Sequence, residues 1–473
     1  MKFSFLSRGK RIICLLVWCF FFMVHWALAD TPGELTSPNS VEALELSGGF
    51  DNFGELGEFD VFETFDGDDT FQEEIPTETE KSFFLKDLTL TFAHDLSWAV
   101  QASGSEVVTN RSSLRWEFDR SFGDGFFVKF DAGTSLYLQN DHVADAEGKS
   151  AVVDGKIREF YIQAGFDKWM IRAGKQVVVW GETDGDVIND VISPRDLSEF
   201  VFMDLEDARL GQYMLSMDYY SKLGDFFWFF TLDPGFNDNP SQGTRYFREK
   251  YPFVVILDRP HFFHGELGVK WKKIYDKFEI SLMTASLLGN DRVVVGSDGE
   301  ACRGVYGRYN FYGVGASYTI GSFLFKMDIA FKKDFLFQSM ETLSQYSAEQ
   351  GNVWDTAFAM EYDANGRYVI NIELTNRYIV DYTSEFYGVK KNNTGLYFQY
   401  NKSFFRDTLT IEYVCYSEVS KKNAFHKIGF DYDFSDDIEF SMEYVFFQAP
   451  HGDSFLWNHR NEDRVGLELK FYY

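Results

Sequence analysis

The sequence has no apolar run long enough to cross a membrane as a helix. The run at 12–26 holds about 15 residues, whereas a spanning helix needs about 20. The mean hydropathy of the whole chain is −0.25. A helical membrane protein is therefore excluded.

Cysteine is scarce as well. Two of the four cysteines lie in the N-terminal apolar run, which leaves Cys302 and Cys415 for the rest of the chain. We expect Cys302 in an outer loop and Cys415 on the lipid-facing side of a strand, where the two do not meet. The sequence therefore indicates neither a disulfide framework nor a thiolate metal site.

Catalytic and metal-binding motifs are missing too. The eight histidines include no pair four residues apart on a helix, and there is no Gly-x-Ser-x-Gly nucleophile elbow. His261 and His264 lie near Asp258 and Glu266, so a transient metal contact is the alternative to a solvated loop. We expect no enzyme activity, no cofactor and no metal site, with a barrel-embedded hydrolase as the remaining alternative.

Basic residues are outnumbered, with 45 Lys and Arg against 73 Asp and Glu, a net charge of −28. The first 29 residues carry four cations and no acid, so the remaining chain has a net charge of −32. A nucleic-acid partner needs clustered cations to neutralise phosphates and is excluded by this balance.

Aromatic residues, in contrast, are abundant and make up 19% of the chain, with 52 Phe and 26 Tyr. A soluble domain rarely needs so many rings. A β-barrel wall that faces lipid does, because it carries aromatic girdles at both membrane interfaces.

Two segments precede the main part of the chain. Residues 1–29 have a cationic start, an apolar run and a small-x-small ending, which predict a signal peptide, with an uncleaved anchor as the alternative. Residues 30–80 contain sixteen acids and no Lys or Arg, which predicts a disordered periplasmic segment. The alternative is that the Phe rings of this segment dock to a periplasmic partner or into the barrel mouth.

From residue 81 onward, apolar and polar residues alternate with period two, which predicts strands with two different faces. In the last predicted strand, Leu467 and Leu469 lie on one face, and Glu468 and Lys470 lie on the other. Strands of roughly 10–14 residues match a tilted membrane crossing. Residues 81–473 are therefore predicted to form an all-β, antiparallel transmembrane barrel.

Short turns and longer loops alternate between the predicted strands. The turns are predicted at 122–125, 166–168, 223–225, 275–277, 320–322, 364–366, 405–407 and 434–436. The loops are predicted at 94–109, 139–155, 182–209, 234–263, 290–307, 338–352, 381–392, 421–423 and 449–460. This alternation is typical of outer-membrane barrels, with turns in the periplasm and loops outside. It predicts about eighteen strands, with sixteen as the alternative, and places both ends of the barrel in the periplasm.

The last strand ends in an aromatic residue, Tyr473. Such a terminus resembles the signal that the bacterial barrel-assembly machinery recognises. We therefore expect this machinery as a partner, together with the lipid bilayer and lipopolysaccharide of a Gram-negative outer membrane.

The third long loop carries the candidate site. A strand runs into Trp180 and Gly181, and an acidic loop marked by Gly and Pro follows as far as Leu197. Four apolar side chains there need a surface on which to be buried: Val187, Ile188, Val191 and Ile192. We expect this loop to fold onto the inner wall as a constriction, with a loop that only caps the barrel rim as the alternative. The residues predicted to line it are Arg172, Gln176, Trp180, Glu182, Asp184, Asp190, Arg195 and Asp196.

The motif in this segment resembles that of an uncharacterised family of proteobacterial outer-membrane proteins, domain of unknown function 1302. The family pattern is Gly-(Arg/Lys)-Gln-x-x-x-Trp-Gly-x-(Ser/Thr)-Asp-Gly, followed by Asn-Pro-x-Asp-Leu. This chain matches it at Gly174, Lys175, Gln176, Trp180, Gly181, Thr183, Asp184, Gly185, Pro194, Asp196 and Leu197. Ser193 stands where the pattern has Asn. The resemblance implies an outer-membrane barrel with no settled substrate and a suspected link to lipid-exporting inner-membrane pumps.

Mixed charges on the polar phase of the strands, such as Arg115, Lys326 and Glu439, suit a wet interior. A Lys or Arg facing lipid at the midplane costs about 2–4 kcal/mol. The sequence therefore predicts a passive, porin-like channel for small solutes. The alternative is a barrel component of a lipid or hydrophobic-cargo export or binding system, working with periplasmic and inner-membrane partners. Aromatics clustered inside the lumen would favour that alternative, and a continuous polar path would favour the channel.

We predict that the exported protein begins at Asp30, because signal peptidase cuts after small-x-small sequences such as Ala27-Leu28-Ala29. Mass spectrometry of membrane-purified protein should give the mass of residues 30–473. A mass that includes residues 1–29 would contradict cleavage.

Overall fold

The computed structural model describes residues 87–473, apart from 102–103, 124, 186–187, 204, 249–254, 258–264, 298–301, 343–344, 451 and 453–454. The predicted signal peptide and acidic segment lie outside the described residues. So do His261, His264 and two members of the third loop, Asp186 and Val187.

Eighteen antiparallel strands close into one barrel, which confirms the predicted fold. In chain order the strands are β1 (Leu88–Gln101), β2 (Gly104–Phe122), β3 (Phe126–Leu138), β4 (Ala151–Phe166), β5 (Trp169–Gln176), β6 (Gln212–Tyr219), β7 (Asp225–Thr231), β8 (Val255–Leu257), β9 (Glu266–Ile274), β10 (Phe278–Leu288), β11 (Val293–Ser297), β12 (Cys302–Val305), β13 (Arg308–Ile320), β14 (Phe323–Thr342), β15 (Gln345–Asp363), β16 (Val369–Ile379), β17 (Asn392–Phe404), β18 (Leu409–Glu418), β19 (Asn423–Ser435), β20 (Ile438–Gln448) and β21 (Arg464–Tyr472).

The short strands β8, β11 and β12 belong to the long connections, and the other strands pair with their neighbours in chain order. β1 pairs with β21 from Thr91↔Tyr472 to Ala99↔Arg464, which closes the barrel. Three short helices are described: α1 (His142–Ala146), α2 (Leu205–Ala208) and α3 (Phe455–Asn458). Within the described ranges, no helix has the length and apolar character needed to span a membrane.

The two faces of each strand differ as the alternation predicts. Inside the barrel, Lys470 Nζ lies 3.7 Å from Glu439 Oε1, and the Tyr472 hydroxyl donates to Glu439 Oε2 at 2.6 Å. On the outer face, the rings of Phe92 and Phe471 have centroids 6.2 Å apart. In a closed barrel, each strand makes backbone hydrogen bonds to a neighbour on both sides. The side chains therefore determine which face of the strand meets lipid and which meets the interior.

Short turns lie at one end of the barrel, and the eight predicted turns are confirmed. Two of the predicted loops at the other end are wrong. Residues 94–101 and 104–109 belong to β1 and β2, which stay paired as far as Gln101↔Gly104. Residues 338–342 and 345–352 belong to β14 and β15, which stay paired as far as Thr342↔Gln345. Polar residues without clear alternation suggested loops there. Ladder hydrogen bonds need no apolar alternation, and bulges absorb the irregular register.

Gly174 of β5 lies where the backbone of β4 approaches closely. It has a φ of +137°, and a Cβ there would lie 2.2 Å from the Phe160 carbonyl oxygen and 2.7 Å from Tyr161 Cα. We predict that Gly174→Ala destabilises the barrel by about 1–3 kcal/mol, through backbone strain and overlap. The measurement is the urea midpoint of the refolded barrel, followed by heat-modifiable gel mobility.

Gly133→Ala is the matched control, because nothing lies within 4 Å of a Cβ built at that position. It should unfold at the same urea concentration as the wild type. Equal stability of the two alanine variants would contradict the close approach at Gly174.

Candidate functional site inside the barrel

The connection between β5 and β6, from Val177 to Gly211, turns into the barrel interior and is called the inserted loop. Its base is held by Val178 N, which donates to Ser193 Oγ at 2.8 Å, and by Ser193 Oγ, which donates to Val178 O at 3.1 Å. Gln212 Nε2 donates to Ile192 O. Ser193, the one departure from the family pattern, therefore closes the base of the loop.

Asp328 on β14 anchors the middle of the inserted loop. Its carboxylate is fully buried. Oδ2 accepts from Glu182 N at 2.8 Å, Thr183 N at 3.1 Å and Thr183 Oγ1 at 3.0 Å, and Oδ1 accepts from Asn189 Nδ2 at 2.6 Å. Hydrogen bonds to a charged acceptor contribute about 1.5–3 kcal/mol each, so this set offsets the cost of desolvating the carboxylate.

The tip of the inserted loop, Asp184 and Gly185, contacts β14 and β16. Lys326 Nζ and Asn371 Nδ2 donate to Asp184 Oδ2 at 2.5 and 3.0 Å. Glu373 Oε2 accepts from the backbone N–H groups of Asp184 and Gly185 at 3.1 and 3.0 Å. These strands stand on the far side of the barrel from β5 in strand order, so the loop crosses the lumen.

The first half of the inserted loop buries its apolar side chains against the inner wall. The Trp180 ring lies 5.6 Å from that of Phe229 and 6.2 Å from that of Phe311. A Cβ at Gly315 of β13 would lie 2.9 Å from Glu182 Cγ, so this glycine makes room for the loop. The buried cluster joins Val178, Trp180, Ile188, Val191 and Ile192 of the loop to Met214, Phe229, Met283, Leu287 and Phe311 of the wall.

The second half of the inserted loop packs on a different part of the wall, formed by β1, β2 and β18–β20. The Phe200 ring stacks on His459 at 3.9 Å and lies 6.2 Å from Phe447. The buried cluster here joins Phe200 and Val201 to Ala99, Val108, Tyr246, Tyr416, Phe425, Val445, Phe447, Ala449 and Leu456. The loop is therefore held on two sides of the lumen.

Glu199 carries the charge in this second contact. Arg111 Nη1 lies 2.9 Å from Glu199 Oε1, and His142 Nε2 lies 3.1 Å from Glu199 Oε2. Burial would raise the pKa of Glu199, but the Arg111 guanidinium and the His142 ring outweigh burial and hold that pKa below its ordinary value. Burial, with a smaller effect of Arg248, lowers the pKa of His459 to about 3, so this ring is uncharged at neutral pH.

Two of the residues predicted for the constriction lie on the β5 wall. Arg172 forms an ion pair with Asp218, and Gln176 Nε2 donates to Met214 O at 3.0 Å. The Arg172 guanidinium also lies over the Phe227 ring, 5.9 Å from its centroid.

The other six predicted residues lie on the inserted loop itself. Trp180 is the apolar anchor described above, and the buried Arg195 donates through its backbone N to Asn237 Oδ1 at 2.8 Å. Each of the four acids has a basic partner. The partners are Lys270 for Glu182 at 3.7 Å, Lys326 for Asp184 at 2.5 Å, Arg209 for Asp190 at 3.0 Å and Lys156 for Asp196 at 2.5 Å.

The wall residues that hold the loop are not distinguished by the sequence. Asp328 and Glu373 are inward polar residues of alternating strands, and the other strands of the barrel contain many residues of the same kind. The one unusual feature is Gly315, which faces Asp328 across the ladder and leaves the space that the loop fills. In the part of the chain that the structure describes, no three His, Cys, Asp or Glu side chains are placed to hold a metal ion.

Part of the inner wall along β2–β4 lies outside these contacts. The side chains of Glu117, Asp119 and Lys129 are 35, 53 and 27% exposed. Gly133 has open space where a side chain would stand. We call this water-accessible region, lined by β2–β4 and continued by β20 and β21, the passage.

We predict that Asp328→Ala releases the inserted loop, because four hydrogen bonds to the Asp328 carboxylate are lost at once. Trypsin should then cut the folded barrel at Arg195 or Arg209, which the wild type protects. Asp119→Ala, which removes a half-exposed carboxylate 3.7 Å from Lys129, is the control and should stay protected. A folded Asp328→Ala barrel that resists trypsin as the wild type does would refute the anchoring role.

Among solved structures, the barrel is similar to OccK8 (OprE) of Pseudomonas aeruginosa, with 9% identity and a TM-score of 0.47 over 82% of this chain and 98% of that chain. It is also similar to OccK2 (OpdF) of the same organism in complex with glucuronate, with 10% identity and a TM-score of 0.48. That similarity covers 82% of this chain and 97% of OccK2. OmpF of Salmonella typhi in complex with daunomycin is similar with 10% identity and a TM-score of 0.41, over 82% of this chain and 97% of OmpF. No curated protein matches the chain in sequence.

Residues 90–228, which contain the whole motif, match the family model described as "Protein of unknown function (DUF1302)". Over these residues the chain therefore matches the DUF1302 family, as the motif predicted.

Proposed function

We propose that this protein is a passive outer-membrane channel for small polar or charged solutes, narrowed by the inserted loop. The passage carries this proposal, because a lumen that leaves Glu117, Asp119 and Lys129 exposed is wetted along the wall. The outer wall supports the membrane location, since large apolar side chains are exposed there. Examples are Phe92, Trp116, Leu282, Phe358 and Leu374.

The charges along the passage are unevenly distributed. β18–β21 and β1 direct mainly acids inward, whereas β2–β4 place the cations Arg115, Lys129 and Arg158 beside acids such as Glu117 and Asp131. The acids of β18–β21 and β1 are Asp95, Glu412, Asp431, Asp433, Glu439, Glu443 and Glu468, with Lys427 and Lys470 among them. Such an arrangement orients water and polar solutes and disfavours apolar ones.

A second candidate function is the handling of lipid or another hydrophobic cargo. The observation that favours it is the pair of aromatic clusters inside the lumen. Their rings are buried against each other, however: Trp180 is 1% exposed and Phe425 is 2% exposed. They hold the inserted loop and leave little apolar surface for cargo, so the channel is the better-supported function.

The partners follow from the proposed location. We propose contact with the lipid bilayer and lipopolysaccharide along the outer wall, insertion through the barrel-assembly machinery using Tyr473, and a periplasmic partner for residues 30–80. Deletion of residues 30–80 that leaves barrel folding unchanged would place that segment outside the folding unit.

We predict that replacing Asp184, Asp190 and Asp196 together by Asn shifts selectivity towards anions. Each substitution removes a negative charge beside a basic residue, Lys326, Arg209 or Lys156, so the lumen around the inserted loop becomes more positive. The measurement is the reversal potential across a planar bilayer in a KCl gradient at low salt, where screening is weak.

The control replaces Asp276, Asp407 and Asp436 by Asn, which changes the charge equally in exposed short turns away from the lumen. That variant should keep the wild-type reversal potential. The channel is refuted if folded wild-type protein does not conduct, and the constriction is refuted if both triple variants behave like the wild type.

A further inference from the structure

Two arginines meet on the wall of the passage beside α2. Arg115 of β2 donates to Asp131 of β3 through Nε at 3.1 Å and Nη2 at 2.9 Å. Arg158 of β4 approaches the same carboxylate, with Nη1 3.5 Å from Oδ2. Asp131 is almost fully buried, so it fixes the two guanidinium groups at one place.

Arg158 reaches this place because of a bulge. Glu159 pairs with Asp131 and Ile157 pairs with Ala132, which leaves Arg158 as the extra residue between two ladder pairs. A bulge interrupts the ladder and redirects a side chain. Here it brings a second positive charge to the same point on the inner wall.

Arg115 Nη2 also lies 3.1 Å from Glu117 Oε1 of its own strand, and two acids of α2 cover the side of the arginines that faces the lumen. Asp207 Oδ1 of α2 lies 3.4 Å from Arg115 Nη1 and 3.7 Å from Arg158 Nη1, and Glu206 Oε1 lies 3.4 Å from Arg158 Nη2. The two acids are 59 and 57% exposed. Arg158 Nε is buried and has no hydrogen-bond partner among the described residues.

We propose that Arg115 and Arg158 form a binding subsite for the carboxylate of a small solute, and that Glu206 and Asp207 are tethered counter-ions that the solute displaces. The subsite deepens the proposed channel function and rests on it. A guanidinium presents parallel N–H donors that match the two oxygens of a carboxylate. Exposed ion pairs at these distances are weak, so a mobile anion competes with them.

The test uses acetate as the probe and the full-length exported protein in detergent. Saturation-transfer NMR gives the acetate affinity without requiring conduction. Replacing Glu206 by Gln and Asp207 by Asn should strengthen acetate binding about two- to five-fold, since the competing acids are weakly held. The control replaces Asp145 and Glu147 of the α1 region by Asn and Gln, an equal change of charge on another short helix and its cap, and should leave the affinity unchanged.

Lysine at positions 115 and 158 keeps the charge but removes the paired donors, so Arg115→Lys with Arg158→Lys should weaken acetate binding. Heat-modifiable mobility identifies the folded variants. Equal acetate affinity in the wild type and the Glu206/Asp207 variant, or no loss in the lysine variant, would overturn the subsite. Acetate binding with no conductance would refute the channel and leave the subsite in place.

Discussion

A single buried carboxylate determines how the interior of this barrel is organised. Asp328 is costly to bury, and it is tolerated because the inserted loop supplies the donors that replace its hydration. The dependence is mutual, since Glu182, Thr183 and Asn189 of the loop all donate to this one carboxylate. The other contacts of the loop, including Lys326 with Asp184 and Glu373 with Gly185, require the register that this anchor sets.

By holding the inserted loop across the lumen, the Asp328 anchor narrows the interior of a wide barrel. A barrel of about this many strands encloses an aqueous channel unless something fills it. The inserted loop fills one side with the cluster around Trp180 and reaches the other with the cluster around Phe200. Part of the wall along β2–β4 remains accessible, and charged side chains line it.

The sequence predicts the barrel well because its information is local. Alternation in β20 and β21 and the turns between strands follow from residues that are neighbours in the chain. The hairpins after Ser97 and after Met340 were missed because a ladder between neighbouring strands can continue through polar residues. The inserted loop was identified from its own apolar residues and motif. Its partner Asp328 lies more than a hundred residues away, and no local pattern marks it. The bulge that directs Arg158 inward is likewise a property of strand pairing.

Cysteine accessibility tests most directly whether the inserted loop fills one side of the lumen and leaves water on the other. Gly133→Cys faces the passage, and Ala357→Cys lies on the wall that the loop covers, each in a barrel without Cys302 and Cys415. We expect a charged, membrane-impermeant thiol reagent to modify residue 133 and reduce single-channel conductance, and to leave residue 357 unmodified. Rapid modification at residue 357, or none at residue 133, would contradict the proposed division of the lumen.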